Sequence, residues 1–559
     1  MRLIVLIAAG LLLGACGGGG GGNRAPAQAP PPVAAPPPPP AAGPTSAQLA
    51  GAAKFLSLAT FGPDHEAIRS AATEGLDVWL ERQFTLGPSL HEPVVRRYLA
   101  QYGFDVNANP PPGTFRRFAF WEQALTAPDE LRQLTAYALT QIMVVSDNVD
   151  AIAINPLALS SYYDTLLTHA FGNFRELLLA VTLHPAMGVY LSHVNNARSN
   201  PGANTFPDEN YAREVMQLFS IGLFELNPDG SQRLGQDGRP LPTYDNGDIQ
   251  EFAKIFTGLS YGPDRPGGAS FFGKQLPVLH VPMVMFESFH EPGEKRLLRG
   301  EIVPAGRSGM EDIEAAVDNL FNHPNVGPFI GRQLIQRLVT SNPSPAYVSR
   351  VASAFAGDAS TPRGDMQHLL RAILLDPEAA AGIRLQEPFR RYLAMNRALG
   401  VSSDDGTYPG LGYVVQFLTQ QHVLSAPSVF NFYSPGFAPA GGVGDAGLVA
   451  PEFQITNAST IVGMTNLLAY ALYGAGSIDT PPGFSTIRLD LSEYEGLAAD
   501  PEALLDRIDL VFFAGELDAA TRGVISDAIT PVGADLPGRV RLALYLALSS
   551  PAYAVSGGA

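Results

Sequence analysis

Apolar residues recur at three- and four-residue steps along most of the chain. In PDELRQLTAYALTQIMVV, Leu131, Leu134, Ala138, Ile142 and Val145 follow that rhythm, which predicts a helix with Asp129 placed to cap it. The same pattern marks 46–62, 162–184, 309–323, 325–341, 363–377, 387–400, 451–474 and 539–550. Long Gly/Pro-rich connections separate these segments, notably 225–247 and 261–300. Within ELNPDGSQRL, Asp229-Gly230 is a turn signal between short extendable runs, so a small hairpin is expected there. No fixed period emerges, which argues against a helical solenoid. The expected fold is mainly α: a large multi-helix globular domain with long Gly/Pro-rich loops and a small β-hairpin.

The first residues break the rhythm. In MRLIVLIAAGLLLGAC one arginine precedes an apolar run, as in a signal-peptide core, and the run is too short to span a bilayer. Leu13-Gly14-Ala15-Cys16 looks like a bacterial lipobox, which would make residues 1–15 a lipoprotein signal peptide and Cys16 the lipidated residue. Cys16 is the single cysteine, so no disulfide is available to the body. Residues 16–44 are rich in Gly and then Pro, a tether that favours extended polyproline II at about 3 Å per residue. Residues 45–559 are expected to form a single large α-helical domain, or two intimately packed lobes.

Charge then narrows the partners. The formal net charge is −17, which speaks against nucleic acid and against a polybasic membrane patch. Membrane attachment would run through the lipid on Cys16. Gly17 carries no inner-membrane retention signal, so the periplasmic face of the outer membrane is the expected location in a Gram-negative host.

The stretch FPDENYAREVMQLFSIGLFEL (206–226) mixes polar and core residues most closely. On a helix from Glu209 to Phe224, Asn210, Arg213, Gln217 and Ser220 form one stripe, and Tyr211, Val215, Leu218 and Phe219 the opposite one. Glu214 falls on the border, where a half-sunk carboxylate acquires the raised pKa of a general acid or base. Asp208 reads as N-cap, and Arg213 one turn after Glu209 as an ion pair. A capped helix with an ordinary polar face explains the same residues. HEPGEKRLLRG places His290, Glu291, Glu294 and Lys295 together: a proton donor and an anion clamp, or a solvated charged turn. Asp248-Ile-Gln-Glu251 fits a capping box, with Glu251 also paired to Lys254.

Other chemistries leave fainter marks. Asp237, Asp245, Asn246 and Asp248 make an oxygen-rich loop without EF-hand spacing. Zinc motifs, a nucleophile elbow, a phosphate loop and a dinucleotide fingerprint are all missing, so no metal ligands are assigned and the cofactor is left undetermined. In SAPSVFNFYSPGFAPAGG (425–442), Phe430, Phe432, Tyr433 and Phe437 can line a saccharide or peptide groove, or plug the loop onto the helical core.

NYAREVMQLFSIGL followed by YDNGDIQEFAKIFTGLSY resembles the bacterial family catalogued as domain of unknown function 1800. The likeness continues through LATFGPDHEAI, FGNFRELLLAVTLHPAMGVYLSH, HEPGEKRLLRG, HPNVGPFIGRQLIQRLV, SAPSVFNFYSPGF and RVRLALYLALSSPAY. It implies export, and an exported phosphatase-like protein as partner. Two positions depart from the family pattern. Thr140-Gln141-Ile142 stands where many members carry His-Asn-His, and Leu259 where a tryptophan is usual; if the histidine pair binds metal in relatives, this chain cannot do so in that way. The leading expectation is a lipid-anchored cell-envelope protein that binds or processes an extracytoplasmic ligand. Glu214 and His290 are its candidate catalytic residues, and Asn210, Arg213 and Lys295 its candidate ligand contacts. The rival is a non-catalytic scaffold or assembly partner of the phosphatase-like protein.

Overall fold

The computed structural model describes residues 20–21, 43–105, 111–263, 270–272, 279–408, 411–474 and 486–556. The signal segment 1–15, Cys16 and most of the tether therefore lie outside the described residues. Pro44–Ala559 forms one compact unit. Among the described residues it holds 25 α-helices and four two-stranded antiparallel sheets, so the fold is mainly α.

The periodic segments fold as helices, with ends set by local chemistry. Ser46–Ala59 starts from Thr45 in a reciprocal capping box with Gln48, and Gly309–Phe321 from Ser308 in another with Glu311. The 162–184 segment is two helices, Ala158–His169 and Phe174–Leu183. The break falls at Gly172, and Asn173 caps the second by accepting from the Arg175 N–H at 2.9 Å. The 451–474 segment likewise splits into a 3₁₀ turn, Pro451–Ile455, and Ala458–Tyr473, which Asn457 caps.

Glu130–Thr140 differs from its amphipathic expectation in two ways. It ends before Ile142 and Val145, and every residue from Leu131 to Thr140 is buried. Most of its polar groups are paired internally: Arg132 donates through its two terminal nitrogens to the carbonyls of Leu167 and Leu86, and Gln133 donates to that of Ser89. Asp129 stands at the N-cap position without a capping bond. Its carboxylate instead accepts from the Ser89 N–H at 2.9 Å. This helix is central because neighbours close over both of its faces.

One contiguous apolar core runs from Ala52 to Tyr553, with a small satellite around Tyr98, Phe115 and Phe118. The hairpin expected at Asp229-Gly230 is present. Asn227 N–H donates to Ser231 O, Arg233 N–H to Glu225 O, and a second turn at Asp237-Gly238 brings Leu241 back beside Arg233. Asn325, fully buried just before the Val326–Leu338 helix, fastens this ribbon. Its side chain accepts from the Leu226 N–H and donates to the carbonyls of Ile221 and Phe224. Gly222 has φ +73°, and a Cβ there would lie 2.7 Å from the Phe329 ring. Only glycine allows that approach.

Candidate ligand-binding site

The helix at the centre of the 206–226 stretch is Asn210–Gln217, shorter than the periodicity implied. Two expectations change with it. Glu209 takes the N-cap position, and Asp208 supports the start from one residue earlier by accepting the Asn210 N–H at 2.8 Å. Ser220 leaves the polar stripe, because beyond Gln217 the chain turns inward. It is fully buried and donates to the Val215 carbonyl. Arg213 forms the surface pair with Glu209 at 3.4 Å, and Asn210 is exposed with its amide 3.5 Å from Ser192 Oγ.

Glu214 is 6 % exposed, and its Oε2 has no hydrogen-bond partner. Burial raises its pKa against a smaller opposing pull from Arg213. Tyr190 and Tyr244 feel its charge, so both phenols lie close to it. The border position read from periodicity thus holds a buried carboxylate without an ion-pair partner.

His290 and Lys295 come together, but away from solvent. His290 Nδ1 is 2.9 Å from the Thr257 carbonyl, and Nε2 is 3.1 Å from Asp312 Oδ2. Lys295 Nζ donates to the same Asp312 oxygen at 2.5 Å and to the Glu291 carbonyl. All three side chains are essentially inaccessible. The solvated-turn reading therefore fails for His290 and Lys295: the Lys295–Arg296 strand pairs with Ile302–Val303 and turns the lysine inward. No hydrogen bond or ion pair among the described residues joins this network to Glu214, Asn210 or Arg213.

The neighbouring motifs act structurally. The capping box of the Asn246–Ile255 helix is Asp245 with Asp248, one turn earlier than expected. Glu251 is freed from that role. It pairs with Lys254 at 2.6 Å and accepts the Arg296 N–H at 3.0 Å. Asp237 accepts the Arg239 N–H within its turn. Among the described residues, no group of three or more His, Cys, Asp or Glu is arranged to hold a metal ion.

A large concavity among the described residues lies elsewhere, and sequence reasoning reached only one wall of it. A cleft of about 800 Å³ opens between the Val326–Leu338 helix, the 222–232 ribbon and the aromatic loop. That size suits a small organic ligand. The aromatic loop splits by function: Tyr433 is buried, Phe432 and Phe437 are half-buried, and Phe430 stands 55 % exposed at the rim. Gln336 holds the loop against the helix by donating to the carbonyls of Ser341 and Pro435.

The floor is a buried polar network drawn from four distant segments. Glu387 accepts from Tyr433 OH at 2.9 Å, from Gln421 Nε2 at 2.5 Å and from Gln141 Nε2 at 3.3 Å. Arg337 lies over the Tyr433 ring, 4.7 Å from its centre. Burial pushes the Tyr433 phenol far up and raises Glu452 behind it, and it lowers Arg390 to about 10. Gln141 and Ile142 both line this cleft. Sequence reading missed Arg337 and Glu387 because their partners are not local. The available signal was Arg337 itself, a charge set among Leu334, Ile335, Leu338 and Val339.

The family model described as "Protein of unknown function (DUF1800)" matches residues 54–555. No curated protein and no solved structure matches the chain. The chain belongs to the DUF1800 family.

Proposed function

We propose that this family member is a lipid-anchored cell-envelope protein whose body binds an extracytoplasmic ligand in the cleft beneath Phe430. The observation that carries the reading is that cleft: large, walled by aromatic side chains, and floored by a fixed polar network. Such a combination of apolar walls and a few oriented polar groups is what ligand sites require. Glu214 lies one helical turn before Gln217 and Leu218, which line the cleft. In this reading it is the acid/base candidate for any processing step, while His290, Lys295 and Asp312 clamp a loop. Attachment to the membrane is assigned to a lipid on Cys16.

The test is thermal unfolding of the protein against a panel of saccharides and peptides, with Phe430→Ala as control. A compound that stabilises the wild type and not the variant supports the reading. Failure of every compound, or equal stabilisation of both proteins, counts against it. Labelling with radioactive palmitate should mark the wild type and spare Cys16→Ser; equal labelling would remove the anchor.

A specific observation favours the scaffold reading as a second possibility. Phe417 is 84 % exposed, and Ile461, Val462 and Tyr473 stand exposed on the adjacent Ala458–Tyr473 helix. The Leu411–Thr419 helix, which carries Phe417, approaches it closely because Gly463 has no side chain: a Cβ there would lie 1.9 Å from the Leu418 carbonyl oxygen. A rigid apolar surface of this kind suits a protein partner such as the exported phosphatase-like protein. Phe417→Glu should abolish co-purification with that partner. Retained co-purification would discard the surface.

A further inference from the structure

The charges around the cleft run opposite to those of the chain. Across the protein 53 acidic residues face 36 lysines and arginines. Among the described residues that line the cleft there is no carboxylate, lysine or histidine, and the charged side chains are Arg332 and Arg337. Neither makes a side-chain hydrogen bond or ion pair among the described residues, although Arg337 lies over the Tyr433 ring. Arg337 is 5 % exposed, and its Nε and Nη1 have no hydrogen-bond partner. Arg332 is exposed and makes no hydrogen bond or ion pair among the described residues. A buried guanidinium with unsatisfied N–H groups is costly unless something supplies acceptors.

The polar remainder of the lining is dominated by amides: Gln141, Gln217, Gln232, Gln333, Asn431 and Gln454 among them. The Gln333 Nε2 donor is also without a partner. Amides both donate and accept, as ring hydroxyls require. Phe430 and Phe329 offer flat apolar faces beside them. Arg337 in the lining, with Arg384 and Arg390 behind the floor, stands against Glu387 and Glu452, an excess of positive charge.

Resting on the cleft reading above, we propose that the ligand is an acidic saccharide. Its carboxylate or sulfate is held by Arg337 and Arg332, its hydroxyls by the amides, and its ring face by Phe430. Arginine suits the role because its planar fork meets two oxygens of one oxyanion.

The experiment is calorimetric titration of the full-length chain at constant ionic strength. The probes are an oligouronate, a sulfated oligosaccharide, the matching neutral oligosaccharide and inorganic sulfate. Binding of either acidic oligosaccharide is expected, and the responding probe distinguishes carboxylate from sulfate. The neutral sugar should bind at least about tenfold more weakly. Arg332→Ala, an exposed change that leaves folding intact, and Arg337→Lys, which keeps the charge, should each weaken binding about tenfold or more. Equal affinity for the acidic and neutral sugars overturns the inference and leaves the cleft reading standing. Acidic-sugar affinity unchanged in both variants, or a response to inorganic sulfate equal to that for the sulfated sugar, overturns it as non-specific ion binding. Binding of peptides alone overturns it in favour of a different ligand in the same cleft.

Discussion

Arg337 and Tyr433 form a stacked pair, guanidinium carbon 4.7 Å from ring centre, while the Tyr433 hydroxyl donates to Glu387 at 2.9 Å. The ring therefore couples the cleft surface to the carboxylate beneath it. Tyr433→Phe keeps the stack and removes one donor from a buried acid. It should cost about 1.5–3 kcal/mol in urea unfolding. No measurable loss would show that Gln141 and Gln421 satisfy Glu387 unaided.

Asp312 is the shared anion for His290 and Lys295, with Arg307 Nε 3.6 Å from its other oxygen. Asp312→Asn strands a buried ammonium and should destabilise by about 3–5 kcal/mol. Adding Lys295→Met should recover part of that loss. A double variant as unstable as the single one would contradict the ion-pair account.

Glu214 gives a pH-dependent signature. Its folded pKa is raised by burial above the ordinary 4.5, so protonation favours the native state. Its contribution is fully present below about pH 4.5 and is lost as pH rises through the folded value. Glu214→Gln should therefore gain stability relative to wild type as pH increases, read by melting temperature across a pH series. A difference that stays flat or shrinks with pH would mean the charged form has a partner.

Buried histidines predict the opposite trend for the whole protein. Burial lowers His91 and His193 to about 4, His184 to about 3, and His422 well below its ordinary value. Their stabilisation is complete above the unfolded pKa of 6.5 and disappears as pH falls towards the folded values. Asp164, raised to about 7 by burial, works against them, as do Glu122, Glu214, Glu452 and Asp509, whose carboxyls burial also raises; His65, His169 and His323, lowered by burial, join the histidine side, which makes seven groups against five. Stability should fall between about pH 6.5 and 4.5, by up to about 1.4 kcal/mol per pH unit for each net proton. Calorimetry showing rising stability in that window would refute this.

Gly258 has φ +86°, and a Cβ there would lie 3.0 Å from the His290 backbone nitrogen. Gly258→Ala combines an unfavourable backbone with a clash that has little room to relax. It should cost about 1–3 kcal/mol, measured by chemical denaturation.

Helix positions were legible because their signal is local: Thr45 with Gln48 or Ser308 with Glu311 announces a start within four residues. Errors arose where a second local solution was equally good. Asp245 and Asp248 stand three apart just as Asp248 and Glu251 do, and tertiary packing selects the first pair by assigning Glu251 to the Arg296 backbone. The border placement of Glu214 emerged from periodicity alone. Burial of His290 and Lys295 did not, since a Gly/Pro-rich charged loop looks solvated until Asp312 arrives from a helix later in the chain. The cleft floor was least legible. Gln141, Arg337, Glu387 and Tyr433 each look ordinary within their own segments, and they acquire a joint role only where four segments meet.

The first helix of the body, Ser46–Ala59, buries Phe55 and Leu56 yet has its carbonyl end held by Arg390, which donates to Ser57 and Thr60 across 333 and 330 residues of chain. During synthesis at about 5–20 residues per second, that helix waits roughly 20–70 seconds for its partner to leave the ribosome. The His65–Glu74 helix and Trp79 emerge early enough to pack on its apolar face, so what stays open for that interval is its carbonyl end. Capping of the first helix is therefore one of the late events of synthesis, and a translational pause before residue 390 should delay it where a pause after residue 390 does not.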